Sequence, residues 1–449
     1  MADTGKTAAV IGAGWAGCSA AVELADAGYR VTLFEAARTL GGRARAVDVH
    51  GQLLDNGQHI LLGAYSETLR LLARTGVKRD SALLTLPLQM RYPSGSGGMD
   101  FIAPRLPAPL HLAVALLRAK GLERADKMAL ARFSTTARWM DWQLYTDCSV
   151  SELLERFDQT ARLTALMWRP LCLAALNTPP ERASAQVFLN VLRDSLGARR
   201  ASSDMLLPRT DLSTLFPQAA ASYLGARGGA VHTGAKVHAV TAHHGGWQVQ
   251  ASGSAVDGAA PLQADVVVLA AGAPATAPLL AQLGQDALAA QLDSFTYEPI
   301  ATCYLQYAPE TTLALPFYAL VDDAPSGHWG QFVFDRGQLD AAQAGLLSVV
   351  ISASAQAGML ERDALSAAIA AQLATVFGRP ALAQPLWSQL ITEKRATFAC
   401  APALMRPPVD TALPGLAIAG DYTASDYPAT LEAAVRSGVA AARAVVAKR

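Results

Sequence analysis

A chain of 449 residues, 51% of them apolar and only 16% charged, is too long for one compact core and can bury a large interior while sparing apolar surface for a greasy ligand. Its 37 basic and 37 acidic residues cancel, which removes the basic footprint expected of a nucleic-acid binder. The five cysteines (Cys18, Cys148, Cys172, Cys303, Cys400) include no C-x-x-C pair, so neither a disulfide framework nor a zinc site is expected and a reducing, cytoplasmic compartment fits. No segment reaches the ~18 uninterrupted apolar residues of a membrane span. The nearest, residues 266–280, is broken by Gly272, Pro274 and Pro278. The N-terminal stretch lacks the long apolar core of a signal peptide.

In chain order, the first 35 residues read as strand, helix, strand. TAAVIG is a short β-rich run, residues 15–27 are alanine-rich and helical, and Gly28 sits where a helix-terminating glycine belongs. RVTLFE at residues 30–35 is the second strand. Between strand and helix lies GAGWAG, in which Gly12, Gly14 and Gly17 form G-x-G-x-x-G around Trp15 and Ala16. Its backbone amides and the helix N-terminus can meet a pyrophosphate. Glu35, followed by Ala36, lies about 18 residues after Gly17, near the offset at which a carboxylate accepts ribose hydroxyls. An acid there argues against a 2′-phosphate, so NAD or FAD is expected rather than NADP.

RTLGGRARA follows at residues 38–46. Gly41 and Gly42 permit close backbone approach, and Arg43 offers a forked cation for phosphate. A bare NAD-binding unit does not need this second loop. G-x-G-x-x-G followed by E-x₅-G-G-R resembles the FAD-binding signature of the amine oxidase and carotenoid desaturase superfamily, and moves the expected cofactor to FAD.

Residues 110–196 read as helical, with Pro170, Pro179 and Pro180 as the proline breaks. Residues 105–138 hold seven Lys/Arg against two acids and overlap the apolar LPAPLHLAVALL. Such a cationic amphipathic surface can rest on anionic lipid and open a substrate mouth there; a solvated face over a core helix is the other reading. From about residue 228 short strands return. GGAVHTGAKVHAV resembles the middle segment of the FAD signature, in which a backbone amide near Val237 meets the adenine. VVVLAAG, ending in Ala271 and Gly272, fits the strand that follows. IATCYLQY and LLSVVISAS suggest a further sheet.

The chain closes with GLAIAG, a loop and a helix from about Pro428. This resembles the superfamily's final flavin motif. The resemblance implies that Gly420 and Asp421 meet the ribityl or phosphate end. It also implies that the helix N-terminus at Pro428, Ala429 and Thr430 faces the flavin N1/C2 carbonyl, where its dipole favours the charge of reduced flavin. An ordinary βα unit with Asp421 as a cap is the alternative. The expected architecture is α/β, with a discontinuous Rossmann-like FAD-binding domain from residues 1–90, 205–285 and 395–449. An α+β substrate domain with a helical insertion would come from residues 91–204 and 286–394.

DNGQHILLGAY, WRPLCLAALNTPPERAS, EKRATFACAPALMRP and GDYTASDYPATLEAAVRSG resemble, more narrowly, the squalene-associated desaturase group. Its characterised members are hydroxysqualene dehydroxylases of bacterial hopanoid and carotenoid pathways, and the likeness runs from residue 8 to about residue 440. It implies a hydrophobic isoprenoid substrate, reduced FAD and an electron donor the sequence does not name. No nucleic acid is expected from the charge balance, and the insolubility of such a substrate favours a cytoplasmic protein whose basic helical region makes peripheral contact with the inner face of the cytoplasmic membrane. The reaction protonates a hydroxyl as its C–O bond breaks and passes hydride from the flavin to the resulting carbocation. By the resemblance, Gly57 and Gln58 pass beside the flavin. His59 is the candidate proton donor, with Asp55 orienting it or serving as an alternative acid; both could instead hold the loop. Asp426 and Tyr427 are second candidates, or a turn and an aromatic packed over the ring.

Three rivals stand beside this reading. Amine oxidases present a lysine near flavin N5 on the strand resembling YEPIATCYLQY. Thr302 aligns there, and no lysine lies between Lys236 and Lys394. A desaturase removing hydride would carry much the same residues. A prenyl-lipid escort related to Rab GDP-dissociation inhibitors would bind no flavin, against the signature at both chain ends.

Overall fold

Two sheets organise the chain, described here from a computed structural model covering residues 5–253, 256, 258 and 260–447. The remaining residues that the sequence assigns to the nucleotide domain, at both termini and within 254–259, lie outside the described residues. The first sheet is parallel, in the order Ala230–Thr233, Arg30–Glu35, Thr7–Ile11, Val266–Leu269, Leu416–Ile418. Strands covered on both faces carry apolar runs without alternation, as TAAVI and VVVL do. Ala8, Val10, Val266 and Val268 pack under the helices Trp15–Asp26 and Leu431–Ala447. Ala9, Ile11, Val267 and Leu269 face the other way, in one cluster with Val240 and Val249 of a three-stranded antiparallel sheet. The last helix begins at Leu431, three residues later than expected. The amide of Ala433 bonds to the Thr430 hydroxyl at 3.2 Å, which fixes the start there.

The second sheet is antiparallel, in the order Phe317–Ala319, Phe332–Asp335, Leu346–Ile351, Tyr297–Gln306, Trp387–Phe398. Ala301, Cys303 and Leu305 pack with Leu365 and Ile369 of the helix Arg362–Phe377. By alternation, Ile300, Thr302 and Tyr304 point to the opposite face, toward residues 52–59. Phe398 pairs with Tyr297, so the expected boundary at residue 395 falls inside a strand of this sheet.

The stretch from 110 to 196 is not one helical run. It divides into Leu110–Arg118, Arg124–Trp139, Val150–Arg156, Arg169–Leu176 and Ala185–Leu192, with shorter turns between. Polar caps do the dividing: capping boxes form at Glu123 with Asp126 and at Ser149 with Glu152, and Asn177 ends a helix in the left-handed conformation. Two π-helical turns, Thr164–Trp168 and Arg193–Gly197, extend the helices on either side of Asn177. Phe133, Trp168 and Phe188 form the aromatic centre of this layer, with ring centroids of the first two 4.6 Å apart. Among the described residues no helix is long and apolar enough to cross a membrane.

Candidate functional site

A cavity of about 1480 Å³ runs from Gly12 and Gly14, past Gln58 and His59, to Leu112, Leu116 and Phe133 in the helical layer. It exceeds the ~300–1,000 Å³ of a pocket for one drug-sized ligand, so two ligands can lie end to end. Every residue the sequence assigns to cofactor binding lines it except Gly17. A Cβ on Gly17 would lie 1.8 Å from the Gly12 carbonyl oxygen. Gly17 therefore serves the close packing of the helix on the glycine loop, outside the cavity lining.

The dinucleotide end fits an extended, doubly anionic group. A Cβ on Gly14 would meet nothing nearer than Gly42 Cα at 3.9 Å, so the protein alone does not demand glycine there. No side chain caps the helix Trp15–Asp26, and its first-turn amides remain open beside the cavity. Glu35 accepts the amides of Ala13 and Ala37, both at 2.8 Å, one on each carboxylate oxygen. Each oxygen keeps lone-pair capacity for a ribose hydroxyl. Arg43 departs from expectation. One arm of its fork donates to the Ala396 carbonyl at 2.8 Å and the other to the Asp421 carboxylate. The expected phosphate cation and the expected ribityl acceptor thus hold each other, joining the second glycine loop to the final strand–helix motif. At that end Thr430 and Leu431, the start of the last helix, line the cavity.

The DNGQH loop corrects one assignment. Asp55 does not orient His59: its Oδ1 accepts the Leu212 amide at 2.7 Å, and it lines no part of the cavity. Burial, partly offset by the Arg336 charge and the Leu212 amide, pushes its carboxyl up to about 7. His59 lines the cavity with Nδ1 2.6 Å from the Gly57 carbonyl oxygen. A carbonyl only accepts, so Nδ1 carries the proton and Nε2 is the basic nitrogen of the neutral ring. Burial pushes His59 below its ordinary range, and the Gly57 bond offsets this only in part. Gln58 also lines the cavity, its Oε1 held at 2.9 Å by the buried guanidinium of Arg336. Thr302 is fully buried beneath this loop, its Oγ1 without a hydrogen-bond partner, and does not line the cavity.

The final motif divides the remaining candidates. Asp426 is exposed, its side chain 72% accessible and 3.8 Å from Arg193, and it lines none of the cavity. It is removed as an acid. Tyr427 lines the cavity and donates its hydroxyl to Asp194 at 2.7 Å. Burial and that bond push its phenol up to about 12, so it is a poor proton source. Asp194 also lines the cavity and is absent from the sequence expectation. The uniform helical reading of residues 110–196 hid the π turn that carries it. Burial alone would raise its carboxyl, but hydrogen bonds from Arg193 and Tyr427 and the charges of Arg193 and Arg436 hold it below the ordinary range.

The sequence profile of the family described as "Flavin containing amine oxidoreductase" matches residues 15–446. The chain is 32% identical to a hydroxysqualene dehydroxylase of Rhodopseudomonas palustris, over 98% of this chain and 99% of that protein. It is 28% identical to a hydroxysqualene dehydroxylase of Zymomonas mobilis, over 96% and 97%. Among solved structures, a putrescine oxidase superposes with a TM-score of 0.70 at 18% identity, covering 99% of both chains.

Proposed function

Because the chain belongs to the family of flavin-containing amine oxidoreductases, with FAD as its cofactor, we propose that it removes the hydroxyl of hydroxysqualene reductively to give squalene. The full-length likeness to hydroxysqualene dehydroxylases supports the substrate. The observation that carries the reading is the single cavity that joins an extended dinucleotide cradle to an apolar chamber. Reduced FAD supplies two electrons, as hydride, to the carbon that loses oxygen. Glu35 and the first-turn amides near Gly14 hold the adenosine and pyrophosphate. The helix start at Thr430, which lines the cavity, would meet the flavin and favour negative charge on its reduced form.

Hydroxide leaves poorly, so a proton must reach the oxygen as the C–O bond breaks. We assign that delivery to His59. Its Nδ1–H stays on the Gly57 carbonyl while Nε2 takes up a proton and gives it to the substrate oxygen. A carbonyl behind the ring, in place of a carboxylate, leaves the imidazolium unstabilised and therefore a strong acid. Leu112, Leu116, Met167 and Leu171 line the chamber and keep water from the electron-deficient carbon.

Substrate enters between two helices. Ala113 of Leu110–Arg118 and Ala131, Thr135 and Arg138 of Arg124–Trp139 are exposed and line the cavity, marking its mouth. Around that mouth Leu110, Leu117, Met128 and Trp139 are exposed, with Arg118, Lys120, Arg124, Arg132 and Arg138 among them. This face rests on the anionic inner surface of the cytoplasmic membrane, from which the insoluble substrate is drawn. The reductant that returns FAD to its reduced form is a separate partner.

Anaerobic incubation of the photoreduced protein with hydroxysqualene, followed by product analysis, tests the reading. Squalene formed in step with flavin reoxidation is expected. Protein purified without flavin, or activity confined to amines or to polyene desaturation, overturns it.

A further inference from the structure

We propose that Asp194 is a catalytic residue whose carboxylate faces the oxygen-bearing carbon of the substrate and stabilises the positive charge that develops there. This rests on the dehydroxylation reading above.

Four carboxylates line the cavity: Glu35, Asp194, Glu393 and Asp421. Three of them are engaged at the dinucleotide side. Glu35 holds two backbone amides, Asp421 holds Arg43, and Glu393 accepts Asn56 Nδ2 and the Arg395 amide. Asp194 comes from the helical layer, where its cavity-lining neighbours are Phe188, Val191, Leu192, Leu196 and Ser195, whose hydroxyl is spent on the Val191 carbonyl. Arg193 Nε donates to its Oδ1 at 2.7 Å, yet Arg193 lines none of the cavity. The pair is therefore a dipole with its negative end turned inward. Tyr427 fixes the other oxygen, and Asn190 Nδ2 donates to the Asp426 carbonyl at 3.2 Å. These bonds dock the helix Ala185–Leu192 and the π turn that follows it against the segment leading into the last helix, where the cofactor half of the cavity begins. The carboxylate thus stands at the junction of the two halves. The π turn from Arg193 to Gly197 is what swings it inward, and such turns recur at functional sites.

During reaction the C–O electron pair leaves with the oxygen, which departs as water after taking one proton. The carbon is electron-deficient until it receives hydride from reduced FAD. Asp194 forms no bond and stays ionised throughout. In an apolar chamber its attraction for the cationic carbon exceeds that in water severalfold.

Asp194→Asn tests this, since the amide oxygen still accepts the Tyr427 hydroxyl while the charge is lost. A long-chain tertiary ammonium and the uncharged alcohol of equal chain length are bound to the oxidised holoenzyme, and the flavin absorbance change is followed. D194N is expected to weaken the ammonium at least ~10-fold and leave the alcohol unchanged. With hydroxysqualene, kcat is expected to fall roughly 100-fold with KM little changed. D194E is expected to recover part of both. Equal ammonium affinity in wild type and D194N, or an unchanged kcat, overturns the proposal. So does loss of flavin or of thermal stability in both variants, which marks a structural role. Wild-type protein that makes no squalene overturns the functional reading alone, because the ammonium arm needs no turnover and still decides the role of Asp194.

Discussion

Gly14 and Gly17 stand three positions apart in one motif and answer to different constraints. Gly17 abuts the Gly12 carbonyl, whereas Gly14 borders open cavity. Gly17→Ala is expected to lower the melting temperature of flavin-free and flavin-bound protein alike. Gly14→Val should abolish flavin retention while leaving the flavin-free melting temperature within a degree or two, read by absorbance and calorimetry. Asp55 makes a second prediction at this scale. Its folded carboxyl sits at about 7, against ~3.9 when unfolded. The folded state therefore binds the proton more tightly, and stability is expected to fall as pH rises from about 4 to about 7, then level off. The drop amounts to at most about 4 kcal/mol. Asp55→Asn should flatten that segment in urea titrations across pH; an unchanged slope would remove Asp55 as its source. The glycines and Glu35 were legible because their work is done by contiguous backbone. The relation of Asp55 to His59 was not, because the Leu212 amide and the Arg336 charge that claim Asp55 arrive from far along the chain.

At the scale of elements, Glu432 ties the last helix to an early one. It is fully buried and accepts the amides of Glu67 and Thr68, the Thr68 hydroxyl and Arg436 Nε. It thus caps the N-terminus of Ser66–Arg74 from another element, where no local side chain does so. Glu432→Ala leaves the Glu67 and Thr68 amides and the Thr68 hydroxyl without that partner and is expected to cost about 3 kcal/mol in urea unfolding, with Glu432→Gln costing less. The parallel strands could be read directly, since doubly covered strands announce themselves as apolar runs. The helical layer could not be divided so easily. Leu, Ala and Arg at helical spacing continue through its turns, and the breaks are marked by single residues: caps at Glu123, Ser149, Thr160 and Ser184 and the left-handed Asn177. Asp194 escaped notice for the same reason: a π turn has no hydrophobic period of its own.

For the whole molecule, the question is what surface meets the exposed helices. Trp139 is 86% and Leu117 74% accessible, beside the cavity mouth. A cation near an anionic bilayer contributes about 1 kcal/mol. Neutralising Arg118, Lys120 and Arg124 together is therefore expected to weaken binding to anionic vesicles roughly 100-fold, with high salt mimicking the change in wild type. Vesicle sedimentation that ignores both lipid charge and these substitutions would leave the face a solvated one. The basic run and a substrate mouth within it were legible in the sequence; which residues border that mouth was not, since Ala113 and Ala131 come from two separate helices.

The parallel sheet places the first strand of the chain and the last on either side of Val266–Leu269. Arg43 and Asp421 close the same ring from opposite ends of the polypeptide. The cavity wall contributed by residues 420–431 is missing until that segment has docked beside Val266–Leu269. Removal of the helix Leu431–Ala447 is therefore expected to spare every strand of the parallel sheet and yet to abolish flavin retention, read by absorbance.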